Sequence, residues 1–125
     1  MIVVDSSVIL ANVFREPGGD SVLDRLSDAA MLSVNVTEVI SKLTENGWDF
    51  DDAVAAFQTF GLAVFDFGID LAIDAARLHA PTLHRGLSLG DRACLALARR
   101  EKATALTADR KWADLNLGCQ IELVR

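Results

Sequence analysis

Four carboxylates in this 125-residue chain stand where local sequence signals would bring them to one place: Asp5, Glu38, Asp91 and Asp109. Asp5 ends the β-branched run Ile2-Val3-Val4. Glu38 falls one turn into a helix opening at Asn35, and Asp91 in the first turn of a helix that follows Ser88. Asp109 comes just after the apolar run Ala103–Leu106 and Thr107. Grouped carboxylates repel and raise one another's pKa, a cost that a cation removes. All-oxygen ligation selects a hard cation, Mg²⁺ or Mn²⁺, over zinc. Such an ion lowers the pKa of water and neutralises charge on a phosphoryl oxygen, so phosphodiester hydrolysis is the chemistry on offer. The spacing is compatible with one ion or two.

Each acid taken singly has a plainer explanation. Asn35-x-x-Glu38 and Ser88-x-x-Asp91 both have the form of capping boxes. Asp109 could open a turn, and Asp5 could cap the helix after it. The four together resist that explanation, because their elements all deliver them to one sheet edge. No rival apparatus is present: the chain has no G-x-x-x-x-G-K-[ST], G-x-G-x-x-G or G-x-S-x-G motif. Cys94 and Cys119 lack metal-ligand spacing and read as small hydrophobes, and His79 and His84 form no paired motif.

The elements that must position the acids follow from periodicity. Strands are expected at Ile2–Val4, Ala30–Ser33, Leu62–Phe65, Ala103–Leu106 and Gln120–Val124. Between them lie helices carrying Ile9, Leu10, Val13 and Phe14; residues 20–28; Val36, Val39, Ile40 and Leu43; Val54, Phe57 and Phe60; and residues 68–78. The helix Leu89–Arg100 is apolar on most sides and so central, while Pro81–Leu87 reads as irregular and Asp109–Leu115 as a short helical turn. Alternating strands and helices predict an α/β fold, three layers with a mainly parallel central sheet flanked by helices. Ligands of such sheets sit beyond the carboxyl ends of the strands. The whole of 1–125 is expected to form a single domain.

Composition is that of a soluble globular chain, about half apolar and a quarter charged, with no run long enough for a membrane span. The first ten residues lack the basic start of a signal peptide, which makes the cytoplasm the expected location. The net charge of −6 is unevenly spread: residues 1–62 carry ten acidic and three basic side chains, and residues 63–125 eight and nine. Phosphate contacts normally come from Lys and Arg, and the late basic residues offer either a cationic rim or a solvated helix face.

At the level of motifs, Val3-Val4-Asp5-Ser6-Ser7-Val8, Asn35-Val36-Thr37-Glu38, the segment Gly86–Ala98 (GLSLGDRACLALA) and Leu106-Thr107-Ala108-Asp109-Arg110-Lys111-Trp112 resemble the PIN-domain family. More narrowly, they are similar to the ribonuclease toxins of VapBC toxin–antitoxin pairs, over essentially the whole chain. The resemblance implies a PIN-like (Rossmann-like) fold, Mg²⁺-dependent cleavage of RNA and inhibition by a cognate VapB-type antitoxin. Asp5 and Asp91 match the family's main metal ligands. Glu38 and Asp109 match its other acidic positions, direct or through water, and Thr107 a polar position beside the fourth acid. Arg92, Arg110 and Lys111, next to two of the acids, are candidate phosphate contacts, with ion pairing to the acids as the alternative. Trp112 is expected in the core and Asp114 at the solvated surface. The helices Val36–Asn46 and Asp49–Phe60 could form a homodimer face or an antitoxin groove.

Two other functions fit part of the pattern. A receiver-type phosphoacceptor would use Asp66, but the first strand ends in one Asp and the last in no Lys. A catalytically inactive PIN-fold binding module would keep the architecture without the reaction.

Overall fold

The three residues Ile2–Val4 (β1) are stiff at Cβ and lie at the centre of a five-stranded sheet in the computed structural model, which describes residues 1–125. The other strands are Ala29–Leu32 (β2), Ala63–Phe65 (β3), Thr104–Thr107 (β4) and Ile121–Leu123 (β5), in the order β3-β2-β1-β4-β5. Every pairing is parallel, so each connection must cross over the sheet through helical chain. Those crossovers contain Ser6–Val13 (α1), Ser33–Glu45 (α2), Phe50–Gln58 (α3), Ile69–Arg77 (α4), His79–Thr82 (α5) and Leu89–Glu101 (α6).

The pleat sends neighbouring residues to opposite layers. Val3, Leu32 and Ala105 join one core with α4, α6 and Trp112. Val4, Met31 and Leu106 join the other with α1, α2 and α3. Here α6 is the central helix that its apolar composition implies: Ala93 to Ala98 are all buried. Trp112 is completely buried, as expected, and Asp114 is exposed. No helix is long and apolar enough to cross a membrane.

Three local expectations need correction. Residues 20–28 wind as a 3₁₀ helix rather than an α-helix, in a stretch where three Asp and two Ser have weak α preference. The segment Pro81–Leu87 is not wholly irregular. It contains the end of α5 and a 3₁₀ turn at Leu83–Arg85, which Gly86 ends at φ +64°. Finally, α2 begins at Ser33 with Leu32 as its cap residue and no capping side chain. Asn35 therefore lies inside the helix, and the capping-box reading of Asn35 and Glu38 fails.

Candidate active site

Parallel register places the first acid. Val4 pairs with Leu106, and the Asp5 amide continues the ladder to the Leu106 carbonyl at 3.3 Å. Asp5 is the cap residue of α1, yet its side chain makes no capping bond. It accepts instead from the Ser7 hydroxyl and, at 3.0 Å, from the Thr107 hydroxyl. Only 2% of Asp5 is exposed. Burial pushes its pKa from the ordinary 3.8 up to about 7; the two hydroxyls oppose the rise, and the charge of Asp91 adds to it.

Glu38 projects from α2. Its Oε1 accepts from Ser6 Oγ at 3.2 Å and Asn35 Nδ2 at 2.8 Å. The same Asn35 amide donates to the Gly90 carbonyl at 3.1 Å, joining α2 to the start of α6. Gly90 is what permits the approach, since a Cβ there would lie 2.6 Å from the Glu38 carboxylate carbon. Next along α6, Asp91 and Ser88 form the capping box that their spacing suggests: Ser88 N donates to Asp91 Oδ2 at 2.9 Å, and Asp91 N to Ser88 Oγ at 3.2 Å. One turn below, the buried Cys94 thiol is pushed well up by burial first and then by the charges of Asp5, Asp91 and Glu38. Three of the four acids thus act on one buried point.

Asp109 stands apart from those three. Its Oδ1 accepts from Lys111 N at 2.9 Å, capping the 3₁₀ turn Arg110–Trp112, and its Oδ2 lies 3.6 Å from Lys111 Nζ. It joins the others through Thr107, whose hydroxyl accepts from Asp109 N at 3.0 Å while donating to Asp5. Thr107 thus links Asp109 to Asp5 through hydrogen bonds. Of the basic candidates, Lys111 is paired with Asp109, and Arg92 donates to the Ala75 carbonyl of α4 at 3.2 Å while its Nε is buried without a partner. The Arg110 side chain is exposed and makes neither ion pair nor hydrogen bond. Asp66 follows the edge strand β3, with β2 between it and Asp5's strand, so the two carboxylates do not stand on neighbouring strand ends.

The sequence profile of the PIN-domain family matches residues 2–117. The chain belongs to the PIN-domain family. No curated protein sequence matches it. Solved structures similar to this PIN domain include DNA-bound VapBC from Salmonella typhimurium, at 18% identity and TM-score 0.75 over 99% of this chain and 98% of that one. VapBC2 from Rickettsia felis, bound to a promoter DNA fragment, aligns at 18% and 0.72 over 98% of both chains. VapC20 from Mycobacterium tuberculosis, described as a sarcin-ricin loop cleaving toxin, aligns at 19% and 0.74 over 96% of this chain and 99% of that one. These likenesses establish the shared fold.

The donor chemistry of this PIN domain fits a hard divalent ion. A buried carboxylate held half-protonated near neutral pH gains from a nearby cation. Asp91 Oδ1 and Glu38 Oε2 carry no hydrogen bonds. The side chains as they stand do not form a closed cage, as no three His, Cys, Asp or Glu come together closely enough to hold an ion.

Sequence reading did not single out Ser6, Ser7, Asn35 or Gly90 as parts of the site. Polar Asn35, at an inward-facing position among Val34, Val36 and Val39, is one signal, and the motif segments that contain Ser6, Ser7 and Gly90 are another. Asn35 is wholly buried, with Oδ1 unpartnered. Asn35→Ala removes the donor shared by Glu38 and the Gly90 carbonyl, and should lower stability by about 1–3 kcal/mol. A shift in the urea midpoint at constant m-value measures this.

Proposed function

We propose that this single PIN domain is a metal-dependent ribonuclease and the toxin half of a VapBC-type pair. The observation that carries the reading is the buried Asp5 carboxylate at the carboxyl edge of the sheet, held up at about 7 by burial and by the charge of Asp91. Family membership supports nuclease chemistry. The named toxin–antitoxin neighbours support the partner, a VapB-type antitoxin, and with it a cytoplasmic setting and an oligomeric complex.

In this reading Asp5 and Asp91 would hold the ion, Mg²⁺ or Mn²⁺, with Glu38 and Asp109 contributing directly or through water. A divalent ion in such a site supplies acidified water and neutralises charge on the phosphoryl oxygens. The protein's own groups set the geometry. Ser7 and Thr107 fix both oxygens of Asp5, Asn35 and Ser6 fix Glu38, and Ser88 holds Asp91 at the start of a helix. Asp5 exchanges its proton near neutral pH, which suits it to trade that proton for a cation. Arg110 is the free cation beside these acids, with Arg92 and Lys111 as further candidates for phosphate contact. The α2–α3 pair, with Trp48 and Phe50 exposed at its junction, is the proposed face for the antitoxin or a second copy.

The test is cleavage of structured RNA in Mg²⁺, with and without chelator. Cleavage that chelation stops and added Mg²⁺ or Mn²⁺ restores is the expected outcome. Cleavage indifferent to EDTA would overturn the mechanism, and no cleavage under any metal would favour the inactive binding module.

A further inference from the structure

Beside the acid site, on the β4–β5 flank, Ser7, Ala108, Asp109, Arg110 and Arg125 line an open groove of about 530 Å³. Ser7 belongs to both places: its hydroxyl donates to Asp5 and accepts from the Ala108 amide at 2.9 Å. Only one side chain therefore separates the groove from the most buried carboxylate.

Arg125 is held in this groove from several sides. Its Nε donates to the Ala108 carbonyl at 3.3 Å, and its Nη1 lies 3.5 Å from Glu16 Oε2. The neighbouring Val124 amide bonds the Thr107 carbonyl at 2.9 Å. Gly18, at φ +82°, presses so closely on Val124 that no side chain could replace its hydrogen. The Pro17-Gly18-Gly19 turn thus clamps the backbone that carries Arg125. Across the groove, Arg110 is unpartnered. The charge of Asp109, which also lines the groove, is partly offset by Lys111.

We propose that this groove is a phosphate subsite: Arg110 and Arg125 grip the nucleic-acid backbone one step away from the bond being cut, so that the strand crosses the acids from the β4–β5 side. Guanidinium groups suit this task because their fork of donors matches phosphate oxygens. An acidic chain that must hold a polyanion needs its cations placed at the point of contact, since its overall field repels the ligand. The subsite rests on the ribonuclease reading but concerns binding, and the two can fail separately.

The measurement is fluorescence anisotropy of a labelled RNA hairpin, with Ca²⁺ in place of Mg²⁺, titrated with wild type, Arg110→Ala, Arg125→Ala, Arg125→Lys and the double alanine variant. Each alanine should weaken binding about 3–10-fold and lower the slope of log K against log salt by about 0.7–0.9. Arg125→Lys should keep most of the slope. Arg99→Ala, on the far end of α6, should behave as wild type. In Mg²⁺ the alanine variants should raise KM and leave kcat within about twofold, since they remove binding shared by ground and transition states. Inorganic phosphate at millimolar concentration should compete weakly and only in proteins that retain both arginines, if the subsite recognises the phosphate alone.

Wild-type cleavage combined with unchanged affinity and salt slope in the folded double variant would overturn the subsite and spare the ribonuclease reading. RNA binding without cleavage, lost in the arginine variants, would do the reverse. Wild type that binds no RNA overturns both. Melting curves identify any variant that fails to fold, and Arg110→Ala, which breaks no hydrogen bond, carries the test if Arg125→Ala does.

Discussion

Asp5→Asn should abolish RNA cleavage while raising the melting temperature of the metal-free protein at pH 8. Losing an outer partner of a metal ligand typically costs about 10–100-fold, so loss of Asp5 in its proposed role as a ligand should exceed a hundredfold. The gain in stability comes from burial. Asp5 binds its proton up to about pH 7 in the fold but only up to 3.8 without it. Between those values the folded state holds more protons than the unfolded chain, so stability falls as pH rises through this window and is flat above it. The full rise from 3.8 to about 7 corresponds to roughly 4 kcal/mol as an upper bound. Asn keeps the Ser7 and Thr107 neighbours but must place an amide there, so a net gain of about 1–2 kcal/mol, or several degrees, is the reasonable expectation. The gain should shrink at pH 4.5, where Asp5 is itself protonated. Mg²⁺ should raise the melting temperature of wild type and leave Asp5→Asn unmoved. A variant that melts lower than wild type at pH 8 would show that burying the ionised Asp5 does not destabilise the fold.

Gly90→Ala is the second large effect. The new methyl would meet the Glu38 carboxylate, so Glu38 must leave its bonds with Ser6 and Asn35 or the start of α6 must move. Either displacement separates Glu38 from Asp91, and an activity loss of about 10–100-fold follows by analogy with disturbed ligand shells. Overpacking costs about 1–3 kcal/mol, against about 1 kcal/mol gained from the better helix former, so the variant should be slightly destabilised. In a Glu38→Ala background the clash disappears, and the same substitution should stabilise by about 0.5–1 kcal/mol. Additive effects in this cycle would mean that Gly90 and Glu38 do not press on each other.

Much of this arrangement was legible from residue pattern because it depends on position along short elements. Three residues of β-branched strand ending at Asp5, a Ser88-Asp91 cap and a run of small apolar residues in α6 each leave a local signature. The layers follow as well, since parallel crossovers admit few topologies. Asn35 caps nothing for a physical reason: β2 runs directly into α2 at Ser33, two residues earlier, and the Ser33 hydroxyl accepts from the Phe67 amide instead of capping the helix. The role of Gly90 depends on a contact between helices more than 50 residues apart in sequence. The same holds for Arg125, which reaches the groove only because β5 pairs with β4 and Gly18 lies across its end. Asp109 follows β4 as its place in the sequence implies, yet its carboxylate serves the turn that follows it. Local signals predict where a residue arrives, and long-range packing decides where its oxygens point.

The alternation along β1 has a consequence for how this molecule tolerates change. Val3 faces one layer, Val4 the other, and Asp5 continues the extended backbone beyond them. One additional residue before Asp5 would advance it by about 3.3 Å and reverse its face. Apolar replacements of Val3 or Val4 keep that count, whereas a single insertion or deletion does not. The carboxylate is located by counting along the strand, and the permissible drift in such a protein is therefore in residue identity rather than in length.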